Sequence, residues 1–569
     1  MSAASLLRRG QSIVAERSLF WGLALLLTLI AILPVGRLLV EGVAPGGVPG
    51  LGPFRRVLAD PATWVALGHT LGVSLAAMLI SGAIGGAMAL VVALTDLPAK
   101  SVLVFGFIML LMVPSQITTI AWIELLGPSS ALLHLIGLAP APGSRHPLYS
   151  ATGITVLLGL EHAPLVFLGL RTALRSLPGD LIEAARASGA RPPRVVRTVI
   201  VPLMGPSLIA GMALAFVSNI GNFGTPALLG IPARFPMLTT LIYQRLSGFG
   251  PRVLSEVAVL SLVLGVIAIV GVAFESWLTG RRDVRVDGAA ATPVRLLLGP
   301  WRWPTILLVW GFLTATLLVP LSALLATALV KAYGQPLSLE TATLENFRFI
   351  LFEHPAARRA VVNSFGLATS AAVLLCLAAV PVAYFAVWRR RRLMQALVLA
   401  TELSYALPGV VLAIAAILFF IRPVLGLSLY NTLGIILIAY LARFFTLAQR
   451  PVAAAFRQLD IRLEEAAQMS GAGFVRRVLT VALPLVVPAA AAGGLLVFLT
   501  AFNELTVSAL LWSAGHETLG VVVFSLEQGG DNTLAAAIAS LTVAATVGLM
   551  AIASFLTRNL AHPVLPWQA

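Results

Sequence analysis

Twelve apolar runs, separated by short polar gaps, follow one another along the chain. The first six lie near residues 19–40, 66–94, 102–126, 150–173, 203–229 and 254–278. The second six lie near 304–330, 362–388, 394–421, 432–455, 484–513 and 533–557. About 20 apolar residues in a helix match the hydrocarbon thickness of a bilayer, and the longer runs predict tilted or protruding helices. The pattern predicts an all-α polytopic membrane protein of about twelve transmembrane helices. The run at 19–40 follows Arg8, Arg9 and Arg17 but is too long for a signal-peptide core, so it reads as an uncleaved first span.

The gaps carry the orientation. Every second one is basic: Lys100, then Arg175, Arg186, Arg191, Arg194 and Arg197, then Arg389, Arg390, Arg391 and Arg392, then Arg457, Arg462, Arg476 and Arg477. Intervening gaps hold acids instead, among them Glu340, Glu345 and Glu353, and Glu517, Glu527 and Asp531. The positive-inside rule then puts both termini in the cytoplasm, with Arg234, Arg245 and Arg252 as exceptions on the predicted outer side.

Composition agrees with a membrane chain: 59% of the 569 residues are hydrophobic and only 11% are charged. The net charge of +15 raises nucleic-acid binding, but the arginines lie in short clusters between apolar runs with no basic, aromatic-interleaved face, so no nucleic-acid partner is expected. The sole cysteine, Cys376, excludes a disulfide within the chain.

One polar phrase occurs twice. Glu183-Ala184-Ala185 is followed by Gly189 and closes at Val201-Pro202; Glu465-Ala466-Ala467 is followed by Gly471 and closes at Leu483-Pro484. The two glutamates are 282 residues apart, about half the chain. At the same offset Phe216 matches Phe498, and Ala227, Leu228 and Leu229 match Ala509, Leu510 and Leu511, while Pro114 matches Pro408 at an offset of 294. Six helices per half make this a parallel repeat about a pseudo-two-fold axis along the membrane normal. The expected organisation is a first repeat at 1–280, a cytoplasmic linker at 281–300 and a second repeat at 301–569. Within the repeated loops (180–202 and 460–484), Asp180 and Asp460 are expected to cap a two-turn helix, and Gly189 and Gly471 to end it in a left-handed turn. Pro192-Pro193 suits the opening of the next helix in the first copy.

The phrase resembles the EAA loop of ABC-importer permeases, with Val199 and Val481 where isoleucine is usual. The resemblance implies that each loop is a coupling helix seated on a separate ATP-binding subunit. Glu183 and Glu465 would supply the acidic contact, Ala184, Ala185, Ala466 and Ala467 the close-packing face, and Gly189 and Gly471 the turn. It further implies two copies of that ATPase subunit on the cytoplasmic side, carrying ATP and Mg, a periplasmic or lipid-anchored solute-binding protein, and a place in the bacterial inner membrane. The stretches 222–234 and 504–512 are similar to those of fused permeases of the ferric-iron type, which makes ferric iron the expected substrate. Relatives of this layout that handle thiamine or aminoethylphosphonate, and relatives with separate halves that handle polyamines, supply the alternatives.

The chain itself carries no cofactor site and no enzyme signature. Its only Lys-Ser pair, Lys100-Ser101, follows Ala99 and lacks the glycines of a phosphate-binding loop, and no metal-ligand spacing appears. Polar residues inside apolar runs are the candidate pathway: Glu161 and His162 in the fourth run, Asn219 and Asn222 in the fifth, Glu402 in the ninth, and Asn503 and Glu504 in the eleventh, with Arg443 near the place in the tenth that Glu161 holds in the fourth. Their competing role is pairing or capping within the bundle. A secondary transporter with two parallel six-helix repeats is the rival reading; it would need a buried ion relay and has no use for paired loops.

Overall fold

The computed structural model describes residues 3–557 and 565, except 142, 176, 178, 249, 251, 281–296, 424, 425 and 427. Most of the expected linker therefore lies outside the described residues. The chain is all-α; among the described residues the only β pairing is one isolated bridge between Val330 and Ala342.

Among the described residues ten apolar helices are long enough to cross a membrane, and two bent pairs bring the number to twelve, at the places where the apolar runs lie. Those two pairs correct the expectation of one helix over each of the runs 102–126 and 394–421. Lys100–Met112 meets the helix that starts at Ser115 at 98°, and Arg392–Ala406 meets Gly409–Phe420 at 114°. The cause is the matched prolines. Pro114 and Pro408 have no N–H to donate and exclude the preceding residue from helical geometry, so Val113 (φ −72°, ψ 129°) and Leu407 (φ −70°, ψ 137°) are extended.

The fifth and eleventh runs are interrupted as well. Their helices stop at Gly221 and Phe502, and short turns resume at Pro226–Gly230 and Ser508–Leu511. Beyond each break lies a short helix that the periodicity did not predict, Leu238–Leu246 and Leu519–Gly529, at equivalent places in the two halves.

Packing obeys the pseudo-two-fold axis. In each half the second, fourth and fifth spans, or their counterparts the eighth, tenth and eleventh, form a tight triangle. The first span and the seventh instead cross over: Leu33–Val43 packs on Gly409–Phe420, and Val319–Ala328 on Ser115–Leu126. Near the axis the contacts are reciprocal. A Cβ on Gly221 would sit 3.4 Å from the Cα of Pro408, and the matching residue Asn503 donates from Nδ2 to the Met112 carbonyl at 3.3 Å.

Glycines set the closest approaches. Gly85 of the second span lies against the backbone of the fourth, where an added Cβ would collide with the Ala163 carbonyl and come within 2.9 Å of Val166 Cβ. Gly82 and Gly86 face only side chains of the fifth span, Met212 and Leu208. In the second half Gly493 approaches the Ala448 backbone, and Cys376 Sγ donates to the Ala490 carbonyl at 3.1 Å. The exceptional Arg245 is neutralised: it pairs with Asp60 and lies 3.6 Å from Glu256, which also pairs with Arg56 at 3.1 Å.

Gly85→Val should lower the melting temperature in detergent, because overpacking against backbone costs about 1–3 kcal/mol. Gly86→Ala, whose Cβ would meet only Leu208 Cδ1 at 3.4 Å, should leave it nearly unchanged. Equal melting temperatures for both variants would contradict this packing.

Candidate functional site

Two kinds of site recur once per half: a polar break inside the membrane bundle and an exposed loop at one end of it.

At the first break the helix ends at Gly221 and Asn222 turns extended (φ −68°, ψ 132°). Asn222 Oδ1 accepts from the Thr225 backbone N–H at 3.2 Å, taking up a donor freed by the interruption. Its amide nitrogen donates to Glu161 on the fourth span, at 3.2 and 3.3 Å to the two carboxylate oxygens. His162 donates from Nδ1 to the Leu158 carbonyl at 3.0 Å, so the hydrogen-bond network puts its proton there, and Nε2 lies 4.0 Å from Glu161. Asn219, fully buried, lies beside His162, but neither end of its amide has a partner at bonding geometry. Thr119 Oγ1, from the second part of the broken third span, meets Thr225 Oγ1 at 2.9 Å.

The second break repeats this layout with exchanged chemistry. Glu504, the counterpart of Asn222, accepts from the Val507 N–H at 2.7 Å and the Ser508 N–H at 3.1 Å. Its partner across the interface is Arg443, whose Nη1 lies 3.9 Å away and which occupies the position equivalent to Glu161. Carboxylate and amide in one half thus become guanidinium and carboxylate in the other. Small residues exchange too. Gly224 makes room for Ser115, whereas their counterparts are Thr506 and Gly409, and the bare Gly409 leaves the space that the Arg443 guanidinium fills.

Of the residues singled out from sequence, Glu161, His162, Asn219 and Asn222 form one group and Glu504 stands with Arg443. Asn503 bonds Thr546 at 3.3 Å as well as Met112 and so ties the eleventh span to the twelfth and to the other half. Glu402 joins neither group; its side chain is 40% exposed and pairs with Arg450 at 3.7 Å. Sequence reasoning passed over Glu124, a lone acid in an apolar run, which is buried and accepts from Thr327 Oγ1 at 2.9 Å. Among the described residues no group of three His, Cys, Asp or Glu is placed to hold a metal ion.

The two loops form the helices Gly179–Ala187 and Arg462–Met469, each followed by a glycine in the left-handed region, Gly189 at φ +80° and Gly471 at φ +82°. Asp460 is not the cap residue: Ile461 holds that place, and Asp460, one residue before it, accepts from the Arg462 N–H at 2.9 Å. Asp180 does not precede its helix as a cap. The helix begins one residue earlier, at Gly179, so Asp180 lies in the first turn, where its charge still favours the positive helix end. Exposure repeats residue for residue: Leu181, Glu183 and Ala184 are exposed with Ala185 half-buried, as are Leu463, Glu465, Ala466 and Ala467. An exposed leucine, glutamate and alanine on one short helix offer a mixed apolar and acidic surface, presented twice.

The family described as "Binding-protein-dependent transport system inner membrane component" matches the chain twice, at residues 82–286 and 376–564. The chain is 28% identical over 391 residues to the Fe(3+)-transport system permease protein FbpB 2 of Haemophilus influenzae, covering 68% of this chain and 72% of that protein. It is 25% identical over 411 residues to the ferric transport system permease protein FbpB of Actinobacillus pleuropneumoniae, covering 72% of this chain but only 58% of that one, less than two thirds of its length. A putative 2-aminoethylphosphonate transport system permease protein, PhnU, of Salmonella paratyphi A is 29% identical over 222 residues, 38% of this chain and 76% of that protein. Two family matches, falling on the two halves of an all-helical membrane bundle, mean that the chain belongs to the inner-membrane permeases of binding-protein-dependent transport systems and carries the family's unit twice.

Proposed function

We propose that the chain forms the whole translocation pathway of an ATP-driven importer and docks two copies of a separate ATP-binding subunit through its two loops. The single observation that carries this reading is the repeated loop, with the same sequence phrase, the same left-handed glycine and the same exposed residues in each half. ATP and Mg belong to the docked subunits, both termini and the loops face the cytoplasm, and a solute-binding protein delivers cargo from the outer side. The repeats extend over 1–280 and 301–569. Glu183 and Glu465 provide the acidic contact, the paired alanines allow close approach, and the glycines re-aim the chain toward the fifth and eleventh spans. Closure of the ATPase pair pushes on both loops, and the halves pivot between outward-open and inward-open states about the axis where Gly221 meets Pro408.

The pathway runs beside the two breaks, past Glu161, His162, Asn219 and Asn222 in one half and Asn503 and Glu504 in the other, with Glu402 toward one end. Ferric iron is the cargo. The names of the ferric permease relatives support this, and so does the chemistry of Glu161: among the described residues no Lys or Arg pairs with its buried carboxylate, which has only His162 Nε2 at 4.0 Å, and a hard cation prefers such oxygen ligands. The unpaired Asn219 amide adds a polar contact that passing solute or water can fill.

Three outcomes follow. The Glu183→Arg, Glu465→Arg double variant should insert normally but no longer co-purify with its ATPase, and uptake should vanish; normal co-purification together with normal uptake would refute the docking role. In cells lacking their own iron importers, the complex should take up radiolabelled ferric iron with an absolute need for ATP. Glu161→Gln should reduce that uptake about tenfold or more while the complex still assembles, since contacts to a charged group are worth ~1.5–3 kcal/mol. Uptake of 2-aminoethylphosphonate or thiamine and not of iron would overturn the cargo assignment.

A further inference from the structure

The two loops are alike on their exposed faces and unlike underneath. Glu464 precedes Glu465 but is only 1% exposed, and a single carboxylate oxygen gathers three partners. The Tyr384 hydroxyl, at the end of the eighth span, donates to Glu464 Oε1 at 2.8 Å. Arg477, at the start of the eleventh span, pairs with the same oxygen at 2.8 Å, a charge contact out of line with its N–H, and donates from Nη1 to the Ala472 carbonyl at 3.3 Å. Arg389 approaches the oxygen at 3.4 Å, donates from Nε to the Tyr384 hydroxyl at 3.0 Å, and extends the network to Glu16 of the N-terminal helix at 3.6 Å. At the equivalent places in the first loop stand Ile182 and Val195, both buried and apolar.

We propose that Glu464 is a positioning residue that clamps the second loop rigidly to the eighth and eleventh spans, so that the two loops transmit ATPase motion unequally. The proposal rests on reading the loops as coupling helices. Hydrogen bonds and ion pairs from three directions fix both the distance and the angle of the loop, whereas the non-directional apolar contact beneath Ile182 resists only separation. The clamp also has a defined far end. Arg477 lies in the helical segment Phe474–Phe502, which runs without a gap to the break held by Glu504. A push on Glu465 therefore reaches the second break through a stiff connection, whereas a push on Glu183 reaches the first break through a looser one.

The clamp can be replaced by the first half's own solution. A buried ion pair exchanged as a unit for apolar residues of similar volume often leaves stability intact, whereas removing one member strands a buried charge. The test uses the full complex, with ATPase and binding protein, in proteoliposomes, and reads solute transported per ATP hydrolysed alongside subunit composition and melting temperature. For Glu464→Ile with Arg477→Val, the complex should assemble and hydrolyse ATP while solute per ATP falls about three- to tenfold, the range over which residues linking two sites change a response. Glu464→Gln, which keeps the shape and the Tyr384 contact, should give a smaller fall, and Ile182→Val none. An unchanged ratio in the double variant would overturn the proposal. Loss of ATPase binding in that variant would overturn it too, by making Glu464 part of the docking surface. Failure of the coupling-helix reading itself would look different, since the Glu183→Arg, Glu465→Arg protein would then keep its ATPase.

Discussion

A bilayer interior offers no water to a backbone group that has lost its helical partner, and among the described residues four breaks interrupt helices inside the membrane bundle. Each interruption is tolerated only because protein groups take up what the helix released. Asn222 and Glu504 do so for the fifth and eleventh spans by accepting from N–H groups three residues on. Once those side chains are committed, their remaining polar atoms need partners of their own, and Glu161 and Arg443 supply them from the neighbouring span. The bends at Pro114 and Pro408 complete the arrangement by bringing Ser115 and Gly409 up to the breaks. The polar centre of the protein is thus a consequence of where its helices stop.

The same constraint explains how a repeat can keep its geometry and change its chemistry. The fold asks for an acceptor at position 222 or 504 and a partner one helix away; it does not ask for a particular charge. One half meets this with carboxylate and amide, the other with guanidinium and carboxylate, and Gly409 leaves the space that the larger Arg443 requires. An importer whose cargo crosses once needs no symmetry in the groups it passes, only in the frame that moves them. The two loops show the same latitude, with Ile182 and Val195 beneath one and Glu464 and Arg477 beneath the other, although their exposed surfaces match.

Much of this was legible in the sequence, and the failures share a cause. Twelve apolar runs, the duplicated loop, the left-handed glycines and the matching of Asn222 with Glu504 all follow from composition and spacing. Hydropathy counts residues and is blind to direction, so the runs holding Pro114 and Pro408 each read as one helix although the prolines themselves were matched. Pairing partners were equally hidden, because Glu161 and Asn222 are 61 residues apart and nothing local links them. Glu464 was lost in the shadow of Glu465: adjacent identical residues on a surface helix look alike until one is seen to face the bundle.

The central claim is that one chain supplies two equivalent seats for an ATP-binding subunit. Native mass spectrometry of the complex, purified through a tag on this chain, tests it most directly. The account predicts one copy of this chain with two ATPase subunits. A complex of one chain with one ATPase, or of two chains with two, would contradict it.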